Sequence, residues 1–114
     1  MAATADYGLP SGILKHGKTT RQEVYMALRD LLTDIHALEE ELLAFERRYG
    51  IRSETFYAAY ASGEEPEDEQ WMLDFGEWAS VYRTWLARQA DYRNEVQGIQ
   101  RHTPGLAGLI RVLA

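Results

Sequence analysis

Apolar and polar positions along this chain fall into two long helical registers. In the first, Val24, Leu28, Leu31, Ile35, Leu38, Leu42, Phe45 and Tyr49 follow one another at alternating steps of four and three. That rhythm holds one stripe of side chains on a single helix face, the heptad seam by which one helix lies along another. Leu32 and Leu43 widen the stripe, as a helix in a bundle requires. In the second register Trp71, Phe75, Trp78, Tyr82, Trp85, Gln89, Tyr92, Val96 and Ile99 repeat the same rhythm, with an aromatic at six of the nine positions. The expected helix runs from about Glu69 to about Gln100.

The ends of these registers carry punctuation. Thr20 and Glu23 have capping-box spacing at the start of the first helix. Gly50 supplies the left-handed stop, and Arg47 and Arg48 complement the helix dipole just before it. Ser53 is expected to cap a short helix with Glu54 in its first turn and Phe56, Tyr57 and Tyr60 as its large side chains; Gly63 ends it. Residues 63–69 are acidic, contain Pro66 and read as an exposed loop. Gly76 and Gly98 each cost up to ~1 kcal/mol relative to alanine inside a helix, so one of them is expected to mark the close approach of a neighbouring helix. After Thr103, Pro104 and Gly105, the apolar tail with Leu106, Leu109, Ile110, Val112 and Leu113 is compatible with either a short helix or an extended arm.

The predicted fold class is all-α: a long antiparallel helical hairpin with a short connecting helix. Residues 1–19 read as a flexible N-terminal arm, 20–102 as the hairpin domain and 103–114 as the apolar C-terminal tail. Two helices leave part of each stripe uncovered, and burying a large apolar side chain is worth ~1.5–3 kcal/mol. A homodimeric four-helix bundle is therefore expected; the rivals are a monomer closed by its own tail and short helix, or an obligate heterodimer. The core or interface positions are Leu31, Ile35, Leu38, Leu42, Phe45, Tyr49, Trp71, Phe75, Trp78, Tyr82 and Trp85.

Composition narrows the function classes. The chain has 114 residues, one domain's worth, and no cysteine. Disulfides, thiolate catalysis and cysteine zinc sites are thereby excluded, and a reducing, cytoplasmic setting fits. The net charge of −6 argues against direct nucleic-acid binding and favours a basic partner. No apolar run approaches the ~20 residues that span a bilayer, and the first residues lack the pattern of a secretory signal. No membrane association is expected.

Chemistry-bearing residues are sparse. His36 and Glu40, with Glu39 adjacent, have the spacing to hold a metal on a helix, but a site needs three or four ligands and no second segment supplies them; an exposed polar face is expected. A helical metal-dependent nucleotide hydrolase using Glu39, Glu40, Asp91 and Glu95 is the alternative function. It is disfavoured because the two acidic segments do not reproduce the paired motifs of the all-helical nucleotide pyrophosphohydrolases. Asp74 and Glu77 are read as solubilising residues beside the aromatic stripe rather than an acid–base pair. A bundle whose Trp71–Trp78–Trp85 stripe lines an apolar-ligand slot is a further alternative, with core packing the favoured role for those rings. Serine has no base partner or nucleophile elbow, and the glycines form no phosphate-binding motif. No cofactor is expected.

Residues 41–82 carry a resemblance. Phe45, Glu46, Tyr49, Gly50, Ser53, Phe56, Gly63, Trp78 and Tyr82 match a recurring pattern in which a helix ends before Tyr-Gly, a serine-led short helix bears a Phe, a glycine precedes an acidic loop, and an aromatic helix follows. The segment resembles small bacterial and archaeal helical proteins read as antitoxin-like components of toxin–antitoxin pairs. The resemblance implies a non-enzymatic protein that masks a small basic partner, and it brings no catalytic residue. The expected partner-binding residues are Tyr7, Leu9, Ile13 and Leu14 of the arm, with Glu64, Glu65, Glu67, Asp68 and Glu69 of the loop.

Overall fold

The structure, a computed structural model, describes residues 20–113. The described chain is all-α, with four helices and no strand: α1 (Arg21–Tyr49), α2 (Ser53–Ala61), α3 (Glu69–Gln100) and α4 (Leu106–Leu113). The tail, which sequence left open, is helical. Residues 1–19, expected as an arm, lie outside the described residues.

Helix ends follow local chemistry. The Thr20 hydroxyl accepts from the Glu23 N–H at 3.0 Å, and the Glu23 carboxylate accepts from the Thr20 N–H at 3.0 Å. This reciprocal pair satisfies orphan donors at the start of α1. At its end Gly50 takes φ +78° and donates to the Glu46 carbonyl at 2.8 Å. α2 closes in a Schellman turn: Gly63, at φ +95°, donates to the Tyr60 carbonyl, and Glu64 donates to that of Ala59. α3 opens on Asp68, whose Oδ1 accepts from the Trp71 N–H at 2.8 Å, a capping role the sequence reading did not assign.

Ser53 departs from expectation. It is the first helical residue of α2, and Arg52 holds the extended N-cap position without a side-chain cap bond. The Ser53 hydroxyl is turned instead into the core, for the reason given below. The two helix-interior glycines also depart from it: a Cβ built at Gly76 or Gly98 meets nothing within 4 Å. Neither marks a close helix approach among the described residues.

Two compact units make up the chain. One is Leu31–Arg93. In it Leu42 of α1, Phe56 of α2, and Trp78, Ala79 and Val81 of α3 form a buried cluster, against which Leu38, Phe45, Tyr49, Tyr57, Tyr60, Phe75, Tyr82 and Trp85 pack. Contacts between α1 and α3 here run in opposite chain directions. Glu39 meets Trp85, Phe45 meets Trp78, and Tyr49 meets Trp71. The other unit comprises, among the described residues, 20–30 and 94–113. Its buried apolar residue is Leu28, while α4 buries none of its side chains and exposes Leu106 and Ile110.

Candidate functional site

The first seam sorts itself by burial. Ile35 and Leu42, one heptad apart, are buried; Leu31, Leu38, Phe45 and Tyr49 are half-buried. On α3, Trp78 is completely buried, Phe75, Tyr82 and Trp85 are half-buried, and Trp71 is 38% exposed.

Trp78 is the centre of an aromatic and polar joint. One face stacks on Phe56 with centroids 3.9 Å apart, and Phe45 stacks at 5.4 Å with an interplanar angle of 10°. Rings of α1 and α2 thus occupy the positions an apolar ligand or a base would need. Its indole N–H donates to the Ser53 hydroxyl at 2.9 Å. That hydroxyl donates onward to Glu46 Oε2 at 2.7 Å, and the same oxygen accepts from the Ser53 N–H at 2.9 Å. Arg52 Nε stands 3.8 Å from Glu46 Oε1. A buried indole N–H needs an acceptor, and Ser53 supplies it. The chain Trp78–Ser53–Glu46 therefore ties α3, α2 and α1 together.

A second polar knot lies one turn earlier on α3. The Tyr49 hydroxyl donates to the Asp74 carboxylate in a short hydrogen bond. Asp74 also accepts from Gln70 at 3.3 Å and faces Arg48 Nη1 at 3.2 Å. Asp74 is buried, 8% exposed, which corrects its reading as a solubilising residue; Glu77 is exposed as that reading has it. Burial pushes the Tyr49 phenol above its ordinary value, and the hydrogen bond and charge of Asp74 push it further, against the Arg48 guanidinium. Burial raises Tyr82 as well, with Glu54 and Tyr57 adding to it. Trp85 donates to Glu39 at 3.1 Å in an exposed position.

The surface residues fall elsewhere. Glu64, Glu65, Glu67, Asp68 and Glu69 are all exposed. Asp68 is engaged as the α3 cap, while Glu64, Glu65, Glu67 and Glu69 have no cation within ion-pair distance among the described residues. After Gln70 come Trp71, Met72 at 56% and Leu73 at 70% exposure. Tyr7, Leu9, Ile13 and Leu14 lie outside the described residues. His36, Glu39 and Glu40 are exposed, and Asp91 pairs with Arg88 at 2.9 Å. Among the described residues no three His, Asp or Glu side chains are grouped to hold a metal, and no helix is long and apolar enough to cross a membrane.

Sequence reasoning missed Ser53, Glu46 and Asp74 as joint residues, and Met72 and Leu73 as exposed apolar residues. Asp74 left a signal, since it lies four positions before Trp78 on the same side of the helix. Ser53 left none, because an N-cap already explained it. The chain matches no protein-family model, no curated protein and no solved structure.

Proposed function

We propose that this chain is a non-enzymatic protein–protein interaction module, antitoxin-like in role, that masks a small basic partner protein. In this reading α1 and α3 form an antiparallel helical hairpin connected through α2, and the hairpin pairs with a second copy into a four-helix bundle. The opposed contacts Glu39–Trp85, Phe45–Trp78 and Tyr49–Trp71 support the hairpin. Exposed Met26, Leu43 and Leu86 on the two long helices support the pairing, because large apolar side chains left in water favour association.

One contrast carries the reading. Ser53 and Asp74, the polar residues buried in the described core, are both consumed by structural partners: Glu46 and Trp78 for the one, Tyr49, Gln70 and Arg48 for the other. The four carboxylates Glu64, Glu65, Glu67 and Glu69, by contrast, are exposed and have no cation within ion-pair distance among the described residues. Polar groups are thus spent on packing inside and left available for electrostatic recognition outside. Recovery of one small basic protein at near-equal amounts with the tagged full chain from its native cells is the expected outcome. Recovery of no stoichiometric partner would remove the module reading, and a monomeric mass in solution would remove the bundle.

A further inference from the structure

The interaction reading does not say where a partner would anchor, and the first turn of α3 offers an answer. Trp71, Met72 and Leu73 are consecutive and exposed at 38%, 56% and 70%. Consecutive helical positions point about 100° apart, so the three wrap the helix end rather than sharing one face. The seam calls only for Trp71; Met72 and Leu73 stand where a surface helix ordinarily places polar residues. Trp71 is held from below, edge-on against Tyr49 at 6.4 Å and stacked with Phe75 at 6.0 Å. It is the outward end of the aromatic cluster that contains Trp78. A ring braced in this way loses little freedom when a partner covers it, the condition that favours tryptophan as an interface anchor.

The surroundings specify the kind of partner. The Asp68 carboxylate is joined to the Trp71 N–H at 2.8 Å, so the end of the acidic loop is tied to the start of the apolar turn. Glu64, Glu65, Glu67 and Glu69 lie just before this turn in the chain, exposed and with no cation in ion-pair distance among the described residues. An apolar centre with an anionic rim complements a cationic segment that carries apolar anchors. A second copy brings a net charge of −6 and the same acidic loop, and nucleic acid and anionic membranes are repelled by the same charge.

We infer that Trp71, Met72 and Leu73, rimmed by the carboxylates of the 64–69 loop, are the docking surface for a basic, amphipathic segment of a partner protein. The inference rests on the interaction-module reading and adds its anchor. The probe is a synthetic peptide with Arg and Leu at helical spacing, and its control has every Leu replaced by Ser. Each is titrated into the full chain by tryptophan fluorescence. The Arg–Leu peptide is expected to bind, weakening as salt rises, and the Arg–Ser control to bind much less. Leu73→Asp is expected to weaken the Arg–Leu peptide by about tenfold or more, the scale of losing one anchor. Ala87→Asp, at an exposed site further along α3, should leave binding unchanged. Equal binding of both peptides, or undiminished binding to the Leu73→Asp chain, would overturn the docking surface. Conversion of a dimer to a monomer by Leu73→Asp would overturn it too, by assigning the patch to a second copy. The two proposals fail separately. A native partner recovered equally by wild type and Leu73→Asp keeps the module and discards this anchor.

Discussion

The turns of α3 around Trp78 and around Trp71 begin alike and end in opposite states. Both tryptophans sit on the same seam, one heptad apart, and both touch Tyr49, at 5.6 Å and 6.4 Å. Yet Trp78 is wholly buried and Trp71 is 38% exposed. The difference is made by α2. Phe56 covers one face of Trp78, and Ser53 accepts its N–H; among the described residues the Trp71 indole forms no hydrogen bond. A heptad position therefore offers a side chain for burial, and a third element must arrive for the offer to be taken. The same residue type becomes structure where α2 covers it and surface where α2 does not.

The largest expected effect separates the two sites directly. Trp78→Ala should cost ~3–5 kcal/mol in urea unfolding of the full chain, the usual toll of emptying a large aromatic site. Trp71→Ala should cost clearly less, because part of its area is already in water. Equal losses would mean that α2 does not distinguish them.

Next in size is Ser53→Ala, expected to destabilise by ~1–3 kcal/mol. It strands the buried Trp78 N–H and removes a partner of Glu46. Pairing it with Trp78→Phe in a double-mutant cycle should show strong coupling, since the second change removes the donor that the first leaves unsatisfied. Additive losses would place the cost in α2 itself, as expected of a plain helix-start residue.

Tyr49, which touches both turns, gives a pH dependence. Its folded-state value is raised above the unfolded value of about 10, as is that of Tyr82. A raised value means that the folded state holds the phenolic proton more tightly. The associated stability is fully present below about pH 10 and is lost as pH rises through the folded values. Unfolding midpoints should therefore fall above that pH, and Tyr49→Phe should flatten part of the fall. An unchanged alkaline profile in Tyr49→Phe would deny the phenol its role.

The smallest effect is expected at the open end of the comparison. Leu73→Asp should alter stability by no more than ~0.5 kcal/mol, as exposed positions do, while thermal unfolding stays cooperative. A larger loss would mean that Leu73 is packed.

Legibility followed the range of the interaction. The Thr20–Glu23 cap, the Gly50 stop and the Gly63 turn were readable, because each is completed within a few residues of chain. The long registers of α1 and α3 were readable for the same reason. Asp74 was misread as solubilising because its partners Tyr49 and Arg48 lie 25 or more positions away. Ser53 was misread as a cap because that local explanation was sufficient; nothing in its neighbourhood announces the Trp78 indole. One of Gly76 and Gly98 was expected to mark a helix approach, and the space beside both is open. The acidic loop was legible as charge, but Met72 and Leu73 next to it drew no reading, since they lie off the seam and carry no local motif.

Taken alone, the chain's residues determined the span of the two long helices and the stripe each would offer, because backbone hydrogen bonds and caps act over one or two turns. Which tryptophan is covered, which serine hydroxyl is spent inside, and which carboxylate is buried were decided by tertiary structure. Those outcomes depend on atoms brought together from α1, α2 and α3, and a pattern of period 3.6 says which way a side chain leaves its own helix but not what waits there.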